Sequence, residues 1–252
     1  MFYRHSLYVQ DIAIIKKFRN DKYKLTLHKY LRQKGFEVDS DKQKIKNVND
    51  EKLDCNIARA RAKIFEYAIC NDWDWFVNLT LDARKYDRFN LKGYIKDLTQ
   101  WLRNYNKKHD LKIKYLFIPE QHQDGAWHIH GLLMGLPERF LSKFIPGKHP
   151  QKLIDVGYLN WLDYYKKFGY VSVGRVGNHE AVSKYLTKYV SKDMANNNRE
   201  LKAHLYYCSN GLKKAEEIER GVMYTDMTPD YENDYVKIKW FSSLEEAKSY
   251  IR

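Results

Sequence analysis

IKYLFIPEQHQDGAWHIHGLLMG, residues 113–135, is the stretch around which the fold is organised. Two apolar runs, at 113–120 and 127–135, flank the polar segment QHQDGA, and the Asp-Gly pair in this segment is a strong turn signal. Apolar runs of this length with a short polar connection are typical of paired antiparallel strands. The stretch therefore predicts a β-hairpin.

The segments on either side of the hairpin alternate between helical and strand periodicity. On the N-terminal side, a helix at 53–71, a strand at 75–82 and a second helix at 90–107 are predicted. On the C-terminal side, a helix in NWLDYYKKF and a strand at 170–176 come first. A further helix opens after Asn178, a good N-cap, and runs through Met194. The order of elements is α, β, α, β, β, α, β, α.

This order favours an α+β fold, in which a central antiparallel sheet carries helices on its apolar face and leaves its other face open for function. We place this core at residues 51–200. Residues 1–50 form a basic N-terminal extension, which we expect to be a solvated arm or short helices. Residues 201–252 form a mixed C-terminal extension, with a strand in DYVKIKWF and a final helix near LEEAKSYI.

The composition indicates a nucleic-acid partner. Lys and Arg total 45 against 32 Asp and Glu, which gives a formal net charge of +13, and aromatic residues make up 15% of the chain. Positive charge attracts polyanions, and aromatic rings stack on unpaired bases. The combination favours single-stranded nucleic acid over a basic surface that serves only solubility.

Several classes of protein are not indicated. The three cysteines, Cys55, Cys70 and Cys208, lack CxxC spacing, which argues against a disulfide framework and a thiolate zinc site. Because no signal peptide and no apolar run of about 18 residues occur, we expect a cytoplasmic protein without a membrane partner. GKH at 147–149 lacks the hydroxyl residue of a P-loop, so any helicase activity would come from another protein.

His128 and His130 stand one residue apart in the second strand of the hairpin. Alternate residues of a strand share a face, so both rings could bind one metal ion, although a pair of structural histidines would give the same pattern. Glu120, at the end of the first strand, is the candidate third ligand, and its oxygen would shift the preference toward Mg²⁺ or Mn²⁺. His122 is the rival third ligand.

The register of the hairpin decides whether Glu120 can join the histidines. With an even number of connecting residues, Glu120 lies opposite Ile129 and therefore on the wrong face. With an odd connection or a bulge, Glu120 pairs with His130 and His122 pairs with His128, all on one face. We therefore predict an odd connection or a bulge. A Glu120 that is merely solvated at a strand end is the structural alternative.

KYLTKYVSKD, residues 184–193, carries two tyrosines and two lysines on a predicted helix. Tyr185 and Tyr189 stand four residues apart and share a face, and Lys188 and Lys192 each follow a tyrosine by three residues. A neighbouring ammonium group or metal ion favours the phenoxide, so a tyrosine here could act as a nucleophile. An amphipathic helix with both tyrosines packed in the core would show the same spacing.

Taken in order, FVNLTLD, Glu120 with WHIHG, and YLTKYVSK resemble the three motifs of the HUH endonucleases, specifically the two-tyrosine rolling-circle replication initiators of small phages and plasmids. The resemblance spans about residues 73–193 and implies an HUH/RRM-like palm as the fold. Asn78 stands where the strand motif more usually carries Thr, a departure that we expect to affect the chemistry little.

The resemblance also implies roles for the residues of the motifs. Two histidines and an acidic residue would hold a divalent metal, and either tyrosine would attack DNA. Lys188 matches the lysine of the tyrosine motif, and Lys192 repeats it after the second tyrosine. The residues to which the resemblance gives these roles are Glu120, His128, His130, Tyr185, Lys188, Tyr189 and Lys192.

The activity that the resemblance implies is site-specific nicking and rejoining of single-stranded origin DNA through a covalent 5′-phosphotyrosine, with a 3′-OH left as primer. Host helicase and DNA polymerase in the bacterial cytoplasm would be the partners, and Arg84, Lys85 and Arg88 could follow the DNA backbone. A relaxase or a transposase would share this chemistry. A non-catalytic module that binds single-stranded nucleic acid is the alternative from another class.

Overall fold

The computed structural model describes residues 8–9, 11–29, 31–32, 50–190 and 204–252. The described residues form two compact units, one within Val48–Lys213 and the other within Met1–Asn47 and Lys214–Arg252. The domain boundary predicted at residues 200 and 201 lies outside the described residues. Of the helices in the described part of the chain, none combines the length and the apolar character needed to cross a membrane.

Strands and helices follow one another in an order close to the predicted one. The strands are β1 (Tyr8–Val9), β2 (Ile12–Lys17), β3 (Tyr23–His28), β4 (Leu31–Arg32), β5 (Trp75–Thr80), β6 (Lys114–Gln121), β7 (Trp127–Met134), β8 (Ser142–Lys143), β9 (Leu159–Asn160), β10 (Val171–Arg175), β11 (Tyr207–Cys208), β12 (Glu216–Val222), β13 (Tyr231–Glu232) and β14 (Val236–Phe241). The α-helices are α1 (Asp50–Cys70), α2 (Leu91–His109), α3 (Gln151–Asp155), α4 (Leu162–Lys167), α5 (His179–Thr187) and α6 (Leu244–Lys248), with 3-10 turns at Arg19–Asp21 and Glu138–Phe140.

The larger unit is built on a seven-stranded sheet with the strand order β11-β6-β7-β5-β10-β9-β8. Every pair of neighbours in it is antiparallel. Alternate residues of the central strands, such as Val77, Leu79 and Ile129, are almost wholly buried, as the period of two in the sequence requires. The predicted α+β class with a central antiparallel sheet is confirmed.

Helices pack on both faces of this sheet. On one face, Leu98 and Leu102 of α2 join the strand residues Val77 and Ile129 in a hydrophobic core. On the other face, Ile64 of α1 and Leu186 of α5 pack against the strand residues Phe76, Leu116 and Leu132. The sequence pattern suggested helices on one face only. The second face also packs against helices, because its residues are polar only toward one end of the strands and apolar elsewhere.

The predicted hairpin is formed by β6 and β7, and Gln121 pairs with Trp127 across a connection of five residues. The odd connection is therefore confirmed, but the pairing differs from the expected one by two residues. Glu120 lies opposite His128 instead of His130. The turn is set by Gly125, whose φ is +84°, and by the Asp124 carboxylate, which accepts the N–H of Ala126. Because the shift is even, all the polar side chains keep the predicted face.

Gly131 follows the second histidine of β7 and has no room for a side chain. It pairs with Phe117 on β6, and a Cβ at position 131 would lie 2.5 Å from Phe117 Cδ1 and 2.8 Å from the Leu116 carbonyl oxygen. Both distances are far below van der Waals contact. The ring of Phe117 fills the space that a side chain at position 131 would take.

The smaller unit contains a five-stranded antiparallel sheet with the order β12-β2-β3-β14-β13. Residues 12–17 and 23–28 are strands, which differs from the solvated arm or short helices expected before residue 50. In YKLTLH, buried and half-buried residues alternate, because each lysine or threonine stands between two core residues. The predicted C-terminal strand and final helix are confirmed as β14 and α6.

Candidate active site

The polar residues singled out in the hairpin lie together on the face of the large sheet that α1 and α5 partly cover, here called the site face. Strand register arranges them in two rows across neighbouring strands. In the first row Glu120, His128 and Thr80 lie side by side on β6, β7 and β5. In the second row His130 lies beside Asn78, which in turn pairs with Ser172 of β10.

Glu120, His128 and His130 converge on one point and form what we call the metal-ligand cluster. Glu120 Oε2 is 2.7 Å from His130 Nε2 and 3.4 Å from His128 Nε2. One ligand atom from each residue lies within 4.8 Å of the others, an arrangement that could hold a metal ion. His122 is outside this group, since its Nε2 contacts the other ring nitrogen of His128, Nδ1, at 2.7 Å.

Asn78 orients His130 within the cluster. Asn78 Oδ1 lies 2.5 Å from His130 Nδ1, while Asn78 Nδ2 donates to Ser172 Oγ at 3.3 Å. An amide oxygen only accepts hydrogen bonds, so the proton of the neutral His130 ring is on Nδ1 and the lone pair of Nε2 faces the Glu120 carboxylate. Two electron-rich atoms 2.7 Å apart require a positive charge between them.

The surroundings of the histidines favour a metal ion over a second proton as that charge. Burial lowers the pKa of His130 against the opposing effect of Glu120. Burial, followed by the neighbouring His122 and His130, lowers the pKa of His128 to about 3. Both rings are therefore neutral near pH 7, which is the form that binds metals. Two imidazoles and a carboxylate, with hydrogen-bonded outer partners, fit a divalent ion.

Tyr189 lies directly against this cluster, and Tyr185 contacts Tyr189. The Tyr189 ring stacks on the His130 ring, with centroids 3.7 Å apart and planes at 13°. The Tyr189 hydroxyl donates a hydrogen bond to the Tyr185 hydroxyl. Tyr185 packs edge-on against Phe76 and is 42% exposed. Burial, together with the bond to Tyr185, raises the pKa of Tyr189 well above the ordinary value for a phenol.

The element that carries the tyrosines is shorter than predicted. Helix α5 is capped by the Asn178 side chain and ends at Thr187, so Tyr189 lies in the turn that follows. Arg61 of α1 fixes this turn by donating to the Val190 carbonyl oxygen at 2.9 Å. The helix predicted through Met194 extends beyond residue 190, and this part lies outside the described residues.

The two predicted lysines have different outcomes. Lys188 is exposed at the C-cap of α5, with its ammonium 5.9 Å from the centre of the Tyr185 ring. Lys192 lies outside the described residues. Sequence reasoning missed the contributions of Asn78 and Arg61. Asn78 could have been found from strand alternation, which places it on the mixed face of β5, the face that β7 shares.

We expect Asn78→Ala to weaken Mn²⁺ binding by about 10- to 100-fold, because the variant loses the acceptor that holds the His130 ring. Calorimetric titration of the protein with Mn²⁺ measures the change. Asn104→Ala, which removes an exposed amide from α2, is the matched control and should bind as the wild type does. An Asn78→Ala variant with undiminished affinity would contradict the orienting role.

Comparison with known families adds an independent finding. Residues 74–194 match the model of a family of replication-associated proteins, described under the name ORF2. The match covers just under half of the 252-residue chain and includes the hairpin and both tyrosines. It supports a replication initiator family and, with it, a role in DNA replication and DNA binding. No curated protein sequence matches the chain.

Proposed function

We propose that the protein is a rolling-circle replication initiator that nicks and rejoins single-stranded DNA at a specific site through a covalent 5′-phosphotyrosine. One observation carries the proposal: the Tyr189 ring stacks on His130, 3.7 Å between centroids, and its hydroxyl contacts that of Tyr185, so that one candidate nucleophile lies against the metal-ligand cluster and the other beside it. An attacking oxygen and a phosphate bound at the cluster would then be neighbours.

The proposed reaction is a transesterification. A tyrosine oxygen attacks the phosphorus of the scissile phosphate, so that a bond between the tyrosine oxygen and phosphorus forms while the bond between phosphorus and the 3′ oxygen breaks. The phenol loses a proton and the departing 3′ oxygen gains one. The products are a 5′-phosphotyrosine and a free 3′-OH. Because one phosphodiester replaces another, attack by a 3′-OH on the phosphotyrosine can rejoin the strand.

Each residue of the site has a role in this proposal. Mg²⁺ or Mn²⁺ held by the metal-ligand cluster would polarise the scissile phosphate. Asn78 and His122 keep the ring nitrogens of the two ligand histidines in place. Lys188, exposed beside Tyr185, would steady the phenoxide or the phosphate. The free 3′-OH makes a host DNA polymerase a partner, and a host helicase would separate the strands.

The test is the transfer of label from single-stranded DNA to the protein. A pool of oligonucleotides with a randomised centre is incubated with the protein and Mn²⁺, and the mixture is denatured and separated by electrophoresis. We expect a 3′ label to move with the protein and a 5′ label not to, since the tyrosine retains the 3′ fragment. EDTA should abolish the transfer. DNA binding without any adduct would favour the non-catalytic binding module.

A further inference from the structure

Beyond the metal-ligand cluster, the site face ends in an exposed aromatic side chain, Tyr170. Thr80 donates its N–H to the Tyr170 carbonyl oxygen at 2.8 Å, and the preceding pair in the register is Leu79 with Val171. Tyr170 therefore lies across from Thr80, which pairs with His128 on its other side. Two strand spacings separate Tyr170 from His128, about 10 Å on the same face.

Tyr170 forms a pair with a second exposed ring. Tyr170 is 59% exposed and Tyr165 is 37% exposed, and their ring centroids are 5.8 Å apart with planes at 65°. Single exposed aromatic residues are ordinary on a protein surface, whereas two adjacent ones keep a sizeable apolar area in water. Of the two rings, Tyr170 offers the larger exposed surface to a planar ligand.

The backbone holds both rings in position. Gly169 has a φ of +149°, and a Cβ there would lie 2.3 Å from the Asp82 nitrogen, so only glycine lets the chain pass this close to β5 before Tyr170. Lys85 donates to the Tyr165 and Lys166 carbonyl oxygens at 2.9 and 3.1 Å. Its ammonium lies 5.3 Å from the Tyr165 ring centre. The rings are thus pre-arranged on a supported surface.

The Arg84 guanidinium interacts electrostatically with both tyrosines and forms a salt bridge with Asp82. The Asp82 carboxylate accepts from Arg84 Nε at 3.0 Å and from Nη2 at 2.8 Å, and these bonds lower the pKa of Asp82 to about 2. Two of the five guanidinium donors are used, and the Arg84 side chain is 79% exposed. The remaining donors are available to a phosphate, whose geometry suits a guanidinium.

We propose that Tyr170, Tyr165 and Arg84 bind the nucleotide next to the scissile phosphate, with its base stacked on Tyr170 and its phosphate on Arg84. The inference rests on the proposed function, which supplies the DNA strand at the metal-ligand cluster. Stacking on Tyr170 requires an unpaired base, so the ligand is single-stranded DNA. The unused N–H donors of Arg84 and the ammonium of Lys85 complement the phosphates of the DNA backbone.

The test uses the Tyr185→Phe/Tyr189→Phe protein, so that binding is measured without cleavage. Its affinity for a fluorescein-labelled oligothymidine dodecamer is read by fluorescence anisotropy at fixed salt. We expect Tyr170→Ala to weaken binding about tenfold and Tyr170→Phe to leave it unchanged, because stacking needs the ring and not the hydroxyl. Tyr231→Ala, which removes a 54% exposed tyrosine of the smaller unit, is the control and should bind normally.

An abasic dodecamer separates stacking from a general disturbance of the surface. Because this oligomer has no bases, the Tyr170→Ala protein and its parent should bind it with the same affinity. A tenfold loss of affinity for the abasic oligomer would overturn the stacking role. Unchanged affinity of Tyr170→Ala for the oligothymidine would also overturn the inference. If the Tyr170→Ala protein that keeps the native Tyr185 and Tyr189 still forms the covalent adduct, the proposed function stands. Absence of an adduct with the wild type overturns the proposed function itself.

Discussion

A variant with both Tyr185 and Tyr189 replaced by Phe is expected to form the covalent protein–DNA adduct at least about a thousandfold more slowly than the wild type. Phenylalanine keeps the rings, so the stack on His130 and the contact with Phe76 are retained while both hydroxyls are lost. The affinity for single-stranded DNA should therefore stay within about twofold of the wild type. The rate of transfer of a 3′ label measures the effect.

The single variants should differ from each other. The Tyr189 hydroxyl donates to the Tyr185 oxygen, and burial raises the pKa of Tyr189. Tyr185 is exposed, and its oxygen accepts the hydrogen bond from Tyr189. This bond stabilises negative charge as it develops on the Tyr185 oxygen. We therefore expect Tyr185→Phe to slow the first cleavage more than Tyr189→Phe does, and Tyr189→Phe to cost less than about tenfold.

Tyr224→Phe in the smaller unit, where the tyrosine is 49% exposed, is the matched control for these variants and should leave the rate unchanged. The assignment of the nucleophile would be wrong if the double variant still formed the adduct at the rate of the wild type. A larger loss in Tyr189→Phe than in Tyr185→Phe would reverse the assignment of the two phenols.

The second large effect concerns the metal-ligand cluster. We expect His130→Ala to weaken Mn²⁺ binding by at least about a hundredfold, because it removes a ligand atom and not merely its outer partner. Glu120→Gln keeps the shape of the side chain and removes its charge, so it should also bind the ion more weakly. Adduct formation should be lost in both variants, whereas binding of single-stranded DNA in EDTA should persist.

The pH dependence of Mn²⁺ binding distinguishes this cluster from an ordinary pair of histidines. An imidazole must lose its proton to bind the ion. An ordinary imidazole, with a pKa of about 6.5, is mostly protonated at pH 5.5, so each such ligand would weaken binding roughly tenfold. The pKa of His128 is lowered to about 3 and that of His130 is also lowered, so both rings are deprotonated further into the acid range. We expect the calorimetric affinity for Mn²⁺ to fall by much less than the roughly hundredfold that two ordinary imidazoles would cause between pH 7.5 and 5.5.

His149→Ala, in the loop after β8, removes a histidine outside the cluster and should leave both Mn²⁺ binding and adduct formation unchanged. Adduct formation by His130→Ala at the rate of the wild type in EDTA would contradict a metal-dependent reaction. A loss of Mn²⁺ affinity of about a hundredfold at pH 5.5 would show that both histidines titrate as exposed rings do.

The sequence predicted the hairpin and the gathering of Glu120 with the two histidines because both follow from local periodicity and parity. A connection with an odd number of residues keeps even-numbered side chains on one face, whatever the pairing. The residue of β7 that pairs with Glu120 could not be predicted from the sequence, since it depends on how Asp124 and Gly125 close the turn. The contact of Asn78 with His130 crosses 52 residues of chain.

Two other features depended on tertiary contacts. The end of α5 before Tyr189 is accompanied by the bond from Arg61, which is distant in sequence. In β3 the alternation of YKLTLH spans only six residues, and in β2 the apolar run IAII ends in two adjacent lysines, so neither segment gives a long periodic signal. These strands are stabilised by pairing with β12 and β14 from the other end of the chain, which no local pattern reveals.

The close packing of Gly131 against Phe117 has a consequence for protein engineering. A designer who grafts the two histidines of β7 onto the hairpin of another scaffold would transfer the ligand atoms without the support that sets their backbone. Such a graft needs the glycine and the facing aromatic ring as well, since any larger residue after the second histidine would push the two strands apart. The smallest transplantable unit is therefore the pair of strands, not the three-letter motif.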